Sequence, residues 1–433
     1  MRTQEILSEP AGAQSGLSIL RRLLADYHPR DFTFRLWDGT VWGPEEGQAS
    51  RFTFIVRHPG ALRTMFLHAG DLNLGEAYIY NDIDLEGDID AALETAERLP
   101  GIRVSVADRV SLIPLLLRLP SNGHGHAGRG QVRLRGSIHS KDRDRAAVTY
   151  HYDVSNEFFS LWLDRRMIYS CAYFTSPGEN LDTAQERKLD YLCRKLRLRP
   201  GERLLDIGCG WGGLIMHAAG RYGVDATGIT LSRPQAELAT ERIRGSRLSG
   251  RCRAQVRDYR DLEEAGTFDK IVSVGMVEHV GESMLREYFS AAWRLLRPGG
   301  VFLNHGIGTG PGHTKNTGPT FSGRYIFPDT EIIPIGTVLA CAEESGFEVR
   351  DVENLREHYT LTLQAWRKRL EEQHARVLTY VDEATYRTWR LCHAGAALNF
   401  LRGRTTLYQS LLVKPDQGRS GLPLTRADFY GRR

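Results

Sequence analysis

The sequence contains no run of about 18 apolar residues, so no segment reads as a bilayer-spanning helix. The first residues, MRTQEILSEPAG, lack the apolar stretch of a secretory signal. No CxxC pair exists: Cys171, Cys193, Cys209, Cys252, Cys341 and Cys392 are scattered over 433 residues. That spacing argues against both a zinc ribbon and a disulfide framework. Reduced thiols and a cytoplasmic location are therefore expected. Compositional extremes are absent too. With 41% hydrophobic and 25% charged residues, the chain is neither collagenous nor wholly disordered.

Net charge is almost absent, +4 from 57 Lys/Arg and 53 Asp/Glu. Its distribution is uneven. Residues 1–100 hold 9 basic and 16 acidic side chains, whereas 101–433 hold 48 and 37. A plain solvated surface accommodates this, and so does a basic face that meets an anionic partner. At about 150 residues per domain the length suggests two or three domains. We read 1–100 as a small accessory domain, 101–146 as a basic junction, and 147–433 as the main domain, the one the motifs below mark as catalytic.

In the first segment FTFRLWDGTVW and RFTFIVRH have strand character, with Asp38-Gly39 as a hairpin signal. Pro59 opens a helical stretch ending at Gly70, and 91–99 is helical. The junction contains an apolar stretch at 111–120 and a loop-like SNGHGHAGRG. From about 200 strands and helices alternate: 202–208, 225–230, CRAQVRD, 269–275 and VFLNHGI are strands. A helix over SMLREYFSAAWRLLRPGG is expected to stop at Pro298 and Gly299. This order implies a parallel sheet covered on both faces, with ligands at the carboxyl ends of its strands.

One such end carries LLDIGCGWGG, where Asp206 precedes a turn of Gly208, Gly210, Gly212 and Gly213. Glycines let backbone approach a ligand closely. The spacing departs from the dinucleotide pattern G-x-G-x-x-G. D-x-G-x-G-x-G resembles the first motif of class I methyltransferases, which bind S-adenosylmethionine. The second strand lacks the carboxylate that often holds ribose hydroxyls. Thr230 and Gln235 are the polar groups there, and Asp258-Tyr259 follows the third strand.

Five ordered segments, HYDVSNEFFSLWLDRRMIYSCAYF, DIGCGWGG, GITLSRPQ, VSVGMVEHVGE and FLNHGIG, resemble the cyclopropane-fatty-acyl-phospholipid synthases and mycolic acid cyclopropane synthases. The match runs from about 147 to the end. LNLGEAYIYNDIDLEGDID resembles, more loosely, the extra N-terminal domain of the phospholipid enzymes. The resemblance implies an α/β fold: a Rossmann-like class I methyltransferase domain with a mostly parallel seven-stranded sheet, preceded by a smaller α+β domain. It implies two ligands, S-adenosylmethionine and a bicarbonate ion acting as base. Family ligands of bicarbonate carry over to Cys171, Glu278, His305, Ile307 (through its backbone) and Tyr359. Cofactor contacts carry over to Tyr169, Ser170, Asp206, Gly208, Gly210, Thr230, Gln235, Asp258 and Tyr259.

The chemistry implied is methyl transfer to the cis double bond of an unsaturated acyl chain in a membrane phospholipid, then ring closure. The sulfonium methyl is a strong electrophile and the alkene a weak nucleophile, so alignment and water exclusion matter most. Attack leaves a carbocation, which aromatic faces stabilise by about 0.5–2 kcal/mol each when desolvated. Residues 150–174 hold eight aromatics: Tyr150, Tyr152, Phe158, Phe159, Trp162, Tyr169, Tyr173 and Phe174. Most of them serve equally as core. Singly, Cys171, Glu278, His279 and His305 each have an ordinary structural use. Their spacing carries no metal-ligand signature, and no metal is expected.

Two departures from the family pattern bear on the product: Asn304 before His305, and Asp329-Thr330 in place of a glycine pair. A methyl-branched or methylenated acyl chain is the alternative product. A non-catalytic lipid-binding protein is a more distant alternative, and nucleic acid is not an expected partner. The enzyme is expected at the inner, anionic membrane surface as a peripheral protein. Arg133, Arg135, Lys141, Arg143, Arg145 and the basic stretch from Arg367 are candidate contacts. The resemblance also allows a homodimer.

Overall fold

The computed structural model describes residues 13–67, 70–98, 113–114, 116–117, 119, 130–152, 154–313 and 320–430. The loop expected over 121–129, much of 111–120, and residues 314–319 lie outside these. The chain forms two compact units. One comprises the described residues of Met1–Gln131, Pro319–Tyr325 and Asp382–Leu398; the other comprises those of Val132–Gly318, Ile326–Val381 and Asn399–Arg433. The segment 147–433 thus lends two pieces to the smaller unit. Buried Arg387 explains one of them. Its guanidinium donates to the Tyr78 carbonyl (2.7 Å), the Ile83 carbonyl (2.8 Å) and Asp84 (2.9 Å).

The smaller unit holds a four-stranded sheet, β1 (Thr33–Arg35), β2 (Val41–Trp42), β3 (Phe52–Val56) and β4 (Ile83–Gly87), in the order β2-β1-β3-β4. Asp38-Gly39 makes the expected reversal between β1 and β2, with Gly39 at φ +90. Phe32, Phe34 and Phe52 bury their rings together, Phe32 stacking on Phe52 at 5.0 Å. Helices Ala13–Leu23, Pro59–Leu67, Asp71–Ile79 and Ile89–Arg98 accompany this sheet.

The larger unit is a seven-stranded sheet of β5 (Arg203–Ile207), β6 (Asp225–Thr230), β7 (Cys252–Val256), β8 (Phe268–Val274), β9 (Leu296–Thr309), β10 (Glu348–Asn354) and β11 (Thr405–Val413). Its order is β10-β11-β9-β8-β5-β6-β7. The four pairings among β5, β6, β7, β8 and β9 are parallel; β11 runs antiparallel to both β9 and β10. Successive strand residues point to opposite faces. Leu204, Val272, Leu303 and Leu411 join one buried cluster; Leu205, Ile271, Phe302 and Leu412 join the other. Both faces are therefore covered at the centre of the sheet, which is why the inner strands read as apolar runs rather than alternations, while the edge strands β7 and β10 stay largely unburied.

The expected stop at Pro298-Gly299 is displaced. Helix Leu285–Leu295 ends earlier, and Pro298, Gly299 and Gly300 lie inside β9. The ladder passes from the pair Phe268–Leu296 to Lys270–Val301, so β9 bulges over Arg297–Gly300 against the single β8 residue Asp269, which accommodates the proline. No helix among the described residues is long and apolar enough to cross a membrane.

Candidate active site

Strand β5 delivers its chain into a turn with Gly208 at φ +89, Gly210 at φ +52 and Gly212 at φ +79, from which helix Gly213–Tyr222 starts. The Gly208 and Cys209 N–H groups both donate to the Ile229 carbonyl at 2.9 Å, tying the turn to β6. A Cβ on Gly213 would lie 2.2 Å from Ile168 Cδ1, so this helix packs directly under the 166–168 segment.

A cleft opens at the carboxyl ends of β5, β6 and β8, where open α/β sheets bind ligands. Tyr169, Ser170, Asp206, Gly208, Gly210, Thr230, Gln235, Asp258 and Tyr259 all line it. Thr230 Oγ1 donates to Gln235 Oε1 at 2.8 Å, so the two polar groups form one unit. Ser232 caps helix Arg233–Gly245 by accepting the Gln235 N–H. The Asp258 carboxylate is engaged by the Arg260 guanidinium at 2.7 and 2.9 Å, and Arg260 also reaches Asp144 at 3.0 Å. The Asp258 charge at the cleft is thus part of an internal ion pair.

Asp206 is buried, and its Oδ1 has no hydrogen-bond partner. Burial pushes its carboxyl up from 3.8 to about 7, against the pull of Lys188. The unfolded carboxyl ionises first. The stability owed to Asp206 is therefore complete below the unfolded value of 3.8 and is lost as pH rises to about 7. Asp206→Asn should remove that loss. The melting temperature of the variant minus that of the wild type should increase steadily across this interval. A difference independent of pH would contradict the assignment.

Two residues of this site escaped the sequence reading. Lys188 is fully buried on helix Leu181–Lys195 and donates to Ser170 Oγ at 2.8 Å. Burial pushes its ammonium down to about 8. Gln185, also fully buried, donates to the Ser170 carbonyl at 2.8 Å. A signal existed: Ala184, Lys188 and Leu192 share a four-residue spacing on one helix face, so a lysine stands in an otherwise apolar stripe.

None of the five expected bicarbonate ligands lines the cleft itself; Cys171 and Glu278 are next in sequence to the lining residues Ser170 and His279. Glu278 sits on the short helix Val277–Val280 after β8. Its Oε1 accepts the Ile307 N–H at 2.6 Å, while its buried Oε2 has no partner. The Ile307 amide is thus held by Glu278. Burial pushes the Glu278 carboxyl up to about 7. His305 faces Gln409 across the β9–β11 ladder, and its Nδ1 lies 3.2 Å from the Gln409 amide. With that amide donating, the ring proton sits on Nε2, which has no partner. Burial holds the imidazole well below the ordinary histidine range, so it is neutral. Cys171 Sγ lies 4.0 Å from Thr362 Oγ1, on the helix Arg356–Glu372 that also carries Tyr359 one turn earlier. Burial pushes the Cys171 thiol up, so it is not a thiolate. The structure thus joins Glu278 to the Ile307 amide, with His305 two residues earlier on β9, and sets Cys171 against the helix bearing Tyr359.

Aromatic rings form a continuous cluster around this region. Phe158, Phe159 and Trp162 are fully buried and belong to the core. Tyr152 and Tyr169 line the cleft, and Tyr169 packs on Trp366 at 5.1 Å. Tyr359 packs on Phe400 at 4.7 Å.

Both departures from the family pattern have local explanations. Tyr288 Oη donates to Asn304 Oδ1 at 2.9 Å, so the buried amide is satisfied. Asp329, at φ +58, takes the Arg143 guanidinium at 2.6 and 2.8 Å. Arg143 is thereby withdrawn from the candidate membrane contacts, Lys141 pairs with Asp261, and Arg369 pairs with Asp182. Each partner is more than a hundred residues away in the chain, beyond any local charge pattern. No group of three metal-ligating side chains is assembled among the described residues.

A family model described as mycolic acid cyclopropane synthetase matches residues 139–410, and a domain of unknown function matches 19–101. A probable fatty acid methyltransferase of Pseudomonas putida is 40% identical over 407 residues, covering 92% of this chain and 95% of its own. The cyclopropane-fatty-acyl-phospholipid synthase of Escherichia coli is 40% identical over 248 residues, 56% of this chain and 62% of its own. A crystal structure of mycolic acid cyclopropane synthase CmaA1 complexed with SAH and CTAB superposes with a TM-score of 0.58 at 33% identity, covering 62% of this chain and 97% of its own. The cofactor cleft, the strand order around it and these similarities agree: the chain belongs to the mycolic acid cyclopropane synthetase family, and with it to the S-adenosylmethionine-dependent methyltransferases.

Proposed function

We propose that this protein transfers the methyl carbon of S-adenosylmethionine to the cis double bond of an unsaturated acyl chain in a membrane phospholipid and closes a cyclopropane ring. One observation carries this reading: behind the cofactor cleft, Glu278 Oε2 and His305 Nε2 are two buried polar atoms without partners. A donor and an acceptor there suit a small oxyanion that bears a hydroxyl. The His305 Nε2–H and the Tyr359 hydroxyl would donate to bicarbonate, and Glu278 would accept its O–H. When bound, bicarbonate supplies the base that takes the proton lost on ring closure. Glu278, held by the Ile307 amide, keeps an acidic group near neutrality where that proton leaves. Tyr152 and Tyr169 offer ring faces on the cleft, and the buried rings behind them exclude water from the carbocation.

The methyl-branched product is the second reading. It is favoured by the name of the Pseudomonas putida relative, similar over nearly the whole of both chains. Labelled S-adenosylmethionine and dioleoyl phospholipid vesicles, with and without anionic lipid, separate the two. The expected product gains one CH2 and shows cyclopropane protons by NMR, with greater yield on anionic vesicles. Methylene signals, or methyl-branch signals once a hydride donor such as a reduced nicotinamide or flavin is supplied, establish the second reading. The absence of any lipid product overturns both.

A further inference from the structure

Helix Leu181–Lys195 directs two fully buried polar side chains, three residues apart, at one residue of the cleft. Gln185 donates to the Ser170 carbonyl and Lys188 to the Ser170 hydroxyl oxygen, each at 2.8 Å. Ser170 lines the cleft between Tyr169 and the buried Cys171. An apolar pair would pack the same space without desolvating an ammonium and an amide. The arrangement therefore does more than anchor a loop.

Its consequence follows from the donor inventory. An ammonium only donates, so Ser170 Oγ accepts on the Lys188 side, and its own hydrogen must leave in another direction. Gln185 holds the backbone at Ser170 and Lys188 holds its hydroxyl oxygen, so the group is fixed beside the cleft it lines. The free direction is the cleft. We infer that Lys188 and Gln185 are positioning residues that set the Ser170 hydroxyl as a donor to the carboxylate of the cofactor's amino-acid arm. This rests on reading the cleft as the S-adenosylmethionine site. Asp164 and Asp206 also face the Lys188 charge. The ammonium is thus already partly balanced, and its role is directional, exerted through the serine.

Calorimetry on the full chain tests this with two probes: SAH, which has the carboxylate, and methylthioadenosine, which lacks the amino-acid arm. Lys188→Met should weaken SAH about 10- to 100-fold and change methylthioadenosine by no more than about 2-fold, the size expected for a hydrogen bond to a charged group. Ser170→Ala should show the same discrimination, and the double variant should be no worse than either single one. Equal losses for both probes would mean that Lys188 only props the cleft open, which overturns the proposal. Unchanged SAH affinity overturns it as well. If Lys188→Met does not fold, Ser170→Ala decides alone: without discrimination between the probes the proposal falls. A wild-type chain that binds neither probe overturns the cofactor reading itself, a separate result from the failure of the clamp.

Discussion

Glu278→Gln is expected to lower turnover by about 10²- to 10⁴-fold while leaving SAH affinity unchanged, the range typical of losing a positioned acid–base group. The substitution is nearly isosteric, and the amide oxygen still accepts the Ile307 N–H that Oε1 accepts at 2.6 Å. What disappears is the acidic function on Oε2, the buried oxygen without a partner. The wild-type carboxyl is held near 7 by burial alone, so it shifts between charged and neutral forms close to neutral pH. An amide has no such transition. Because a buried carboxylate is disfavoured, the variant should melt no lower than the wild type at neutral or alkaline pH. Turnover with labelled cofactor, SAH calorimetry and thermal melting check the three parts. Turnover within a few-fold of wild type would remove Glu278 from the chemistry.

Gly208→Val should weaken SAH binding by more than about 100-fold, since strain of this kind costs about 1–3 kcal/mol before any clash is added. Gly208 holds φ +89, and a Cβ there would meet Met276 Cγ at 3.1 Å. Valine adds two methyl groups in a stiff rotamer at this closest point. Relief requires the turn to move, breaking the paired N–H bonds from Gly208 and Cys209 to the Ile229 carbonyl. Gly210→Ala is the control. Its φ of +52 lies in the left-handed region, and nothing stands within 4 Å of the new Cβ. It should cost only about 1–2 kcal/mol. Far-UV circular dichroism separates lost binding from lost folding. SAH binding by Gly208→Val comparable to wild type would show that the turn does not shape the cofactor site.

Much of this architecture is written in local chemistry. The Asp38-Gly39 reversal, the Ser232 cap with Pro234 behind it, and the glycine turn after β5 depend on residues within a few positions of one another. Apolar runs marked the inner parallel strands β5, β8 and β9, because burial on both faces removes any polar alternation. Strand β10 was not legible that way: EVRDVEN lies at the sheet edge and stays mostly polar. The nine expected cofactor positions fall in short sequence motifs, seven of them at or just after strand ends, and the structure gathers all nine around one cleft.

Other features depend on pairings that no window of sequence contains. Lys188 resembles any helical lysine until Ser170 stands 2.8 Å away. Asp258 is neutralised by Arg260, and Arg143 by Asp329, so neither keeps the free charge that composition suggested. Arg387 draws the 382–398 segment into the smaller unit through carbonyls three hundred residues earlier. Residue type, spacing and turn chemistry were sufficient for the five parallel strands and the glycine loop, because those act between neighbours, but not for the antiparallel strands β10 and β11. The protonation of Asp206, Glu278, His305 and Lys188, and the direction of each hydrogen bond around Ser170, were decided only when folding removed water and brought distant partners into contact.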